Sequence, residues 1–192
     1  MRLAIVSEIH EVRASVLGAI RAKALLRDRE YMLASGKTSK YFLDMKAVLT
    51  DGSDTISKIA DLILQRFPED VSAVGGLAMG AIPISAEIVS RNNKVSPDRL
   101  LHYFWVRPDE KTHGLGGLVS GTLLSGDRVV IVDDVTTEGN SVMKAIRAVV
   151  ASGAKVLKVI TVVDREQGAA DKVRSEGLKF EALFTSSEIL QA

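Results

Sequence analysis

Two adjacent aspartates, Asp133 and Asp134, follow the apolar run 129–132 and precede a stretch of small polar residues. Parallel sheets bind ligands beyond the carboxyl ends of their strands, so a strand ending here would place both carboxylates at a binding edge. Because like charges repel, adjacent carboxylates need a partner that offers hydroxyl groups or a metal ion. A sugar cis-diol offers paired hydroxyl donors, and the two aspartates therefore predict a sugar site.

The segment that follows reads VTTEGNS and leads into a predicted helix. Successive amides and hydroxyls before a helix N-terminus suit a phosphate dianion. The candidate residues are Thr136, Thr137, Glu138, Gly139, Asn140 and Ser141. Glu138 fits only if its side chain points to solvent, because its charge would lie near the phosphate. A diol site beside a phosphate site indicates a phosphorylated ribose; the alternative is an ordinary turn and helix cap without a ligand.

The elements that must position these residues follow an α/β pattern. We predict strands at 71–74, 100–106, 128–132, 156–163 and 180–184. Helices are predicted at about 53–67, 81–91, 140–151 and 169–175. Gly75 and Gly76 are expected to end the first strand, and Gly153 to follow the third helix as a C-cap glycine. Strands separated by helices predict a mainly parallel, twisted sheet flanked by helices.

The first 50 residues do not follow this alternation. A helix is predicted over 7–30, with an apolar side, and two short strands around a turn within 31–44. We expect one domain, with a small hood formed by about 1–50 over a core of about 51–192. The glycine-rich stretch 107–126 predicts a long loop, and its part from about 107 to 120 is expected to be a mobile lid.

Composition excludes several classes of protein. The chain has 192 residues, a net charge of +1, 46% hydrophobic residues and no cysteine. It is long enough for one packed domain, has no disulfide or thiolate chemistry, and has no overall basic charge for nucleic acid. No apolar run approaches the ~20 residues of a membrane span. We therefore expect a soluble, cytoplasmic protein with no nucleic-acid or membrane partner.

Five segments resemble one known family. The string VVIVDDVTTEGNS resembles the phosphoribosyl pyrophosphate (PRPP) motif of type I phosphoribosyltransferases. Four further segments of the chain resemble segments of orotate phosphoribosyltransferases and occur in that family's order. They are LASGKTSKYFLD (33–44), VGGLAMGAIP (74–83), VRPDEKTHGLGG (106–117) and VVDREQGA (162–169). The resemblance implies the type I phosphoribosyltransferase fold. It also implies transfer of phosphoribosyl from PRPP to orotate, giving orotidine 5′-monophosphate and pyrophosphate in de novo pyrimidine biosynthesis.

The resemblance also implies residue roles. Catalytic residues would be Arg107, Lys111 and His113 in the loop, with Asp133 and Asp134 on the ribose. The PRPP site would comprise these five residues, residues 136–141 and Gly80. Orotate would be bound by Thr137, Arg165 and Lys46. The alternatives are a local ion pair of Arg165 with Glu166 or Asp164, an ordinary solvated Lys46, and ordinary surface roles for the loop residues.

Cofactor and partner follow from the same resemblance. Mg²⁺ would be chelated by pyrophosphate and ribose oxygens, with no direct ligand expected from the protein. The histidines are scattered, without metal-ligand spacing, and His102 is predicted to be a packed or satisfied residue rather than a ligand. The loop would reach the neighbouring subunit's site, which implies a homodimer.

Three positions depart from the family pattern. Ala34, Gly80 and Pro108 stand where many members carry lysine. These losses remove positive charge from the leaving-group site and leave two alternatives open: a paralogue that uses another base, or a PRPP-binding regulatory protein without turnover. The presence of Lys111 and His113 favours an enzyme, and no helix-turn-helix or basic stripe supports a regulator.

Overall fold

The computed structural model describes residues 2–32, 38–109 and 117–191, and the side chains of these from residue 9 onward. The N-terminal region begins with helix α1 (Arg2–Ala19), which continues as a π-helical turn (Ile20–Ala24). It continues with β1 (Leu25–Leu26), β2 (Tyr31–Met32), β3 (Thr38–Ser39), β4 (Phe42–Leu43) and α2 (Lys46–Leu49). Two small antiparallel pairs result, β1 with β4 and β2 with β3.

The rest of the chain alternates strands and helices. Its elements are α3 (Thr55–Leu64), β5 (Ala73–Leu77), α4 (Ala81–Val95), β6 (His102–Val106), β7 (Val119–Gly121), β8 (Arg128–Thr136), α5 (Asn140–Ala151), β9 (Lys155–Asp164), α6 (Ala169–Ser175), β10 (Lys179–Thr185) and α7 (Ser186–Leu190). No helix in the described ranges is long and apolar enough to cross a membrane.

Six strands form one sheet in the order β10-β9-β8-β5-β6-β7. All neighbours are parallel except the edge strand β7, which is antiparallel to β6. From β5 the chain moves outward to β6, whereas β8 lies on the other side of β5 and leads outward to β9 and β10. The strand order therefore reverses between β5 and β8, the position at which open parallel sheets bind ligands. The predicted fold class is confirmed.

Helices cover both faces of the sheet. Along β8, Val130 and Val132 pack into a core with α1, α3 and α4, and Val129 and Ile131 pack into a second core with α5 and α6. All four side chains are fully buried. This arrangement explains why the strand reads as a continuous apolar run rather than as an alternation.

The two central strands are longer than the sequence analysis predicted. Gly75 and Gly76 lie inside β5 and do not end it. A Cβ on Gly76 would lie 2.0 Å from the carbonyl oxygen of Val132, so the glycine allows β5 to pass close to β8. Asp133 and Asp134 likewise lie within β8 and not beyond it. Pairing with β9 carries β8 to Thr136, although its pairing with β5 ends at Ile131.

The N-terminal prediction needs a similar correction. The helix predicted at 7–30 begins earlier and ends at Ala24, because the next two residues pair with Phe42 and Leu43. The apolar side of the helix is placed as expected, with Val16, Ile20 and Ala24 fully buried. The short elements α2, β7 and α7 were not predicted. The three-residue strand β7 lies within 107–126, the stretch that was expected to be a loop.

Helix boundaries differ in the core as well. The second predicted helix begins at Thr55, after Asp54, and ends at Leu64. The Asp54 carboxylate makes no cap hydrogen bond and instead lies 3.1 Å from Lys58 Nζ. Helix α4 runs four residues past its predicted end at 91, to Val95. Helices α5 and α6 have the predicted bounds, and Gly153 follows α5 with a left-handed φ of 77°.

Candidate active site

The two aspartates lie at the reversal of strand order, where β8 extends past its pairing with β5. Asp133 lines a cavity of 360 Å³ at the carboxyl end of the sheet. Consecutive residues of a strand point to opposite sides, and Asp134 accordingly turns toward the β5–α4 connection. A Cβ added to Gly80 there would lie 2.2 Å from Asp134 Oδ1, so glycine leaves the space that this carboxylate occupies.

Asp133 is held in an environment that disfavours its charge. Its side chain is buried, with 7% of the residue exposed. Burial, followed by the negative charge of Asp134, raises the pKa of Asp133 well above its usual value. The Asp134 amide donates to Asp133 Oδ1 at 3.1 Å, which is the opposing, weaker influence. A buried carboxyl with no cation beside it in the described chain is suited to hydroxyl donors supplied by a ligand.

Residues 137–141, here called the phosphate cradle, connect β8 to α5. Among the described hydrogen bonds, none is donated by the backbone amides of these residues. The first amides of α5 therefore remain available to an anion, and the helix dipole adds to the attraction. Gly139 has a φ of 77° and a Cβ there would lie 3.0 Å from Ala169 Cα, so both backbone conformation and space require glycine.

The polar side chains around the cradle have different surroundings. Thr136 is buried, and its hydroxyl lies 3.5 Å from Asp164 Oδ1, so it holds β8 to β9. Glu138 is half-buried and lines the cavity, and Asn140 Nδ2 donates to its carboxylate at 3.4 Å. Lys172 donates to Asn140 Oδ1 at 2.8 Å. Thr137 and Ser141 line the cavity, as do Glu138, Gly139 and Asn140.

Arg165 enters the same cavity from the end of β9. The residue is 5% exposed, and its guanidinium lies 4.6 Å from the centroid of the Tyr41 ring. Nη2 donates to Ser39 Oγ at 3.1 Å, whereas the buried Nε has no partner in the described chain. The alternative of a local ion pair is not observed there, because Glu166 accepts instead from Ser186 and Ser187.

Lys46 lies at the start of α2, outside the cavity lining. Its side chain is 75% exposed, and its Nζ is 2.6 Å from Asp44 Oδ1. The hydrogen bond to Asp44 raises the pKa of Lys46, and the negative charge of Asp134 contributes in the same direction. The position is that of a solvated lysine within the electrostatic field of the site.

The structure describes only the two ends of the predicted mobile loop, up to residue 109 and from residue 117. The Arg107 amide donates to Leu118 O at 2.8 Å, which joins the two ends of the loop. Lys144 of α5 donates to Pro108 O. Lys111 and His113 lie outside the described residues, as does Ala34.

Several cavity residues were not singled out from the sequence. Met32, Phe42 and Leu43 supply an apolar wall from the N-terminal region, and Gln167 lies beside Arg165. Ser39 and Tyr41 contact Arg165 from the same region. The signal available was the segment LASGKTSKYFLD, whose resemblance marked the stretch without indicating which side chains face the site. His102 is satisfied as predicted, with Nε2 2.8 Å from Asp127 Oδ2.

The fit of a divalent cation can be judged from the donor set. Within the described chain no three His, Asp or Glu side chains converge as a metal site. Asp133 and Asp134 nevertheless offer the hard oxygen donors that Mg²⁺ prefers, and Mg²⁺ commonly completes its coordination with substrate oxygens and water. The residues present therefore fit a metal that arrives with a phosphorylated substrate.

Known proteins provide an independent comparison. The family model of the phosphoribosyl transferase domain matches residues 42–181. An orotate phosphoribosyltransferase of Rhodopseudomonas palustris strain TIE-1 is 38% identical over 187 residues, covering 93% of this chain and 96% of that relative. The crystal structure of Mycobacterium tuberculosis orotate phosphoribosyltransferase in complex with PRPP is similar with a TM-score of 0.75 and 30% identity, covering 93% and 98% of the two chains.

A second solved structure extends the comparison. Orotate phosphoribosyltransferase from Aeropyrum pernix has a TM-score of 0.76 and 34% identity, with 93% of this chain and 96% of that chain covered. The similarity thus spans the core and most of the N-terminal region.

Proposed function

The chain belongs to the phosphoribosyltransferase family, among the orotate phosphoribosyltransferases, and we propose on that premise that it transfers phosphoribosyl from PRPP to orotate. The products are orotidine 5′-monophosphate and pyrophosphate, as required in de novo pyrimidine biosynthesis. One observation carries this proposal: Asp133, the phosphate cradle and Arg165 line a single cavity of 360 Å³ at the reversal of strand order.

The ribose 5-phosphate half of PRPP is assigned to β8 and the cradle. The free amides of residues 137–141 donate hydrogen bonds to the 5′-phosphate at the N-terminus of α5, assisted by the hydroxyls of Thr137 and Ser141. Asp133 and Asp134, near the carboxyl end of β8, are assigned to the ribose hydroxyls, Asp133 from the cavity and Asp134 from the side of the β5–α4 connection. Hydroxyl donors stabilise ionised carboxylates, so binding offsets the burial and mutual repulsion that hold the pKa of Asp133 high.

The base end of the cavity is assigned to Arg165 and the apolar wall. A guanidinium recognises a planar carboxylate or carbonyl through paired N–H donors, and Arg165 lines the cavity without a carboxylate partner in the described chain. Met32 and Phe42 offer apolar surface to the pyrimidine ring. Thr137, which also lines the cavity, is assigned to the base as well, and Lys46 contributes positive charge from outside the lining.

The reaction breaks the anomeric carbon–oxygen bond of PRPP while a base nitrogen attacks. Negative charge accumulates on the departing pyrophosphate, and Arg107, Lys111 and His113 are proposed to stabilise it when the loop closes and excludes water. Asp133 and Asp134 orient the ribose and balance its developing positive charge. Asp133 and Asp134 are the hard oxygen donors that would lie near a Mg²⁺ ion brought in by PRPP, and the ion would neutralise part of the phosphate charge.

The position of Gly80 bears on the missing lysines. A side chain at this position would occupy the space of the Asp134 carboxylate, so the β5–α4 connection contributes close backbone approach instead of a cation. The leaving group is therefore proposed to depend on the loop cations more than in members with lysine there.

The organisation around this site is also proposed. Residues of about 1–50 act as a hood over a core of about 51–192, with a loop of about 107–120 that closes. The chain works as a homodimer in which each loop reaches the neighbouring site. Sedimentation of the purified chain tests the dimer, and cell fractionation tests the cytoplasmic location expected from composition.

A turnover assay tests the reaction itself. Purified chain is incubated with PRPP, Mg²⁺ and, separately, orotate, uracil, adenine or hypoxanthine, and pyrophosphate release is measured. We expect pyrophosphate release when the base is orotate and none when it is uracil, adenine or hypoxanthine. Release with a different base would identify a paralogue, and measurable PRPP binding without release from any base would identify a regulatory protein.

A further inference from the structure

The guanidinium of Arg165 is held by two residues that lie outside the cavity lining. Among the described residues that form the cavity wall, Arg165 is present and neither Ser39 nor Tyr41 is. Both nevertheless contact its side chain, Tyr41 through its ring face and Ser39 through its hydroxyl. Both come from the N-terminal region, and Ser39 precedes Arg165 by 126 residues in the sequence.

The hydroxyl of Ser39 is arranged to receive the guanidinium. Ser39 Oγ donates to Tyr41 O at 2.8 Å, which commits its single hydrogen. Its oxygen accepts from the Tyr41 amide at 3.4 Å and from Arg165 Nη2 at 3.1 Å. Since an arginine has only donors, a hydroxyl whose hydrogen is used elsewhere is a well-matched partner.

The carboxylates adjoining Arg165 in sequence are both engaged elsewhere. Glu166 Oε2 accepts from Ser186 Oγ at 2.9 Å and from the Ser187 amide at 2.8 Å. Asp164 Oδ1 accepts from the Glu166 amide at 3.0 Å. In the described chain Arg165 therefore has a neutral aromatic face and one hydroxyl as partners, and its positive charge is left for a ligand.

We propose that Tyr41 and Ser39 are positioning residues for base selection: they fix the guanidinium of Arg165 where it lines the cavity, so that it meets the substrate base in one orientation. This inference rests on the proposed function and deepens it. Stacking limits the rotation of the guanidinium plane, and the hydroxyl fixes its direction within that plane. An arginine left to rotate would lose part of its binding energy to conformational entropy.

The kinetic test uses a double-mutant cycle on the full chain. Tyr41→Leu is expected to raise KM for orotate about tenfold, with KM for PRPP changed less than about twofold, because a stacked arginine loses its restraint. Tyr41→Phe, which retains the ring, is expected to behave as the unmodified chain does. In an Arg165→Gln background, Tyr41→Leu should cost nothing further, since the residue acts only through Arg165.

Ser39→Ala provides a second arm. We expect about a fivefold rise in KM for orotate, with rescue by Ser39→Thr, which keeps the accepting hydroxyl. Full additivity of Tyr41→Leu and Arg165→Gln would overturn the inference, as would equal rises in the two KM values. If the unmodified chain turns over orotate, either result leaves the proposed function intact. Failure to use orotate would instead remove the function.

A spectroscopic readout makes the geometric part independent of turnover. The buried Nε–H of Arg165 should give a slowly exchanging signal in protein labelled at arginine nitrogen, assigned by its loss in Arg165→Gln. Tyr41→Leu should accelerate its exchange at least about tenfold, and Tyr41→Phe should preserve it. A signal equally protected in all Tyr41 variants would contradict the positioning role, whatever the substrate.

Discussion

The two ends of β8 carry buried aspartates in opposite electrostatic situations. Asp127 directly precedes the strand and accepts from Ser72 Oγ at 2.7 Å and the Leu124 amide at 2.6 Å, with His102 Nε2 at 2.8 Å. Asp133, near the other end, lines an open cavity and carries the negative charge of Asp134 as its neighbour in sequence. Both residues are nearly buried, at 8% and 7% exposure.

Similar exposed fractions of the two residues accompany opposite pKa shifts at the two ends. Burial acts to raise the pKa of Asp127, but the hydrogen bonds from His102, the Leu124 amide and Ser72 outweigh it and lower that pKa. At Asp133 burial and the charge of Asp134 both raise the pKa. Asp127 has its partners within the protein. We propose that Asp133 obtains its partners from a ligand, so that the amino end of the strand serves stability and the carboxyl end serves binding.

The largest effect is expected at the carboxyl end. Replacing both acids, Asp133→Asn with Asp134→Asn, should lower PRPP turnover by about 1,000-fold or more, because ribose orientation and charge stabilisation are lost together. The melting temperature should stay the same or rise. Turnover is measured with saturating orotate and Mg²⁺, and turnover like that of the unmodified chain would remove the ribose assignment.

The next prediction compares single substitutions at the two ends of β8. Asp127→Asn should cost about 1–2 kcal/mol of unfolding free energy, since charge-assisted hydrogen bonds are weakened, while kcat/KM stays within about twofold. Asp133→Asn alone should raise the unfolding free energy by about 1 kcal/mol while activity falls. Chemical denaturation and steady-state kinetics measure both quantities. Loss of activity in Asp127→Asn at temperatures where it is folded would contradict the assignment of Asp127 to stability alone.

A single methyl group tests the space beside Asp134. Gly80→Ala should reduce kcat/KM for PRPP about tenfold, because the new Cβ displaces the Asp134 carboxylate. Gly18→Ala in α1 is the matched control, since a Cβ there meets nothing within 4 Å. The control should retain full activity. Equal activity in both alanine variants would mean that the position of the Asp134 carboxylate does not matter.

The smallest expected effects are the pH dependences of stability. Asp127 has a folded pKa below the usual 3.8, so its contribution is present above that value and is lost as the pH falls through the folded pKa. Asp133 has a raised pKa and penalises folding as the pH rises through it. Melting temperatures are measured between about pH 3 and about pH 8 for each variant and the unmodified chain. The melting temperature of Asp127→Asn should lie below that of the unmodified chain at neutral pH, and this difference should shrink in acid. The melting temperature of Asp133→Asn should exceed that of the unmodified chain, and this difference should grow toward neutral pH. Parallel curves would contradict the assignments.

The sequence was informative where periodicity and local chemistry agree. The continuous apolar run of β8 and the polar turn into α5 predicted strand, cradle and helix, and α5 has the predicted bounds. Apolar spacing in α1 likewise identified its buried side. These features are local, so a single segment contains the information for them.

Features that depend on distant partners were missed or misplaced. The glycines 75 and 76 read as a strand end, but they lie within β5 because β8 passes close to it. The place of β7 depends on pairing with β6, and the restraint on Arg165 depends on residues of the N-terminal region. Even the separation of Asp133 from Asp134 across the strand required knowing that β8 continues to Thr136.

A crystal structure of the chain with PRPP and Mg²⁺ tests the central claim most directly. The account predicts ribose hydroxyls within hydrogen-bond distance of Asp133 and Asp134, and 5′-phosphate oxygens accepting from the amides of residues 137–141. The contrary result is equally specific. A phosphate bound elsewhere, for example in the larger groove of 750 Å³ beside Lys144, Arg147 and Lys172, with the cradle amides still free, would contradict it.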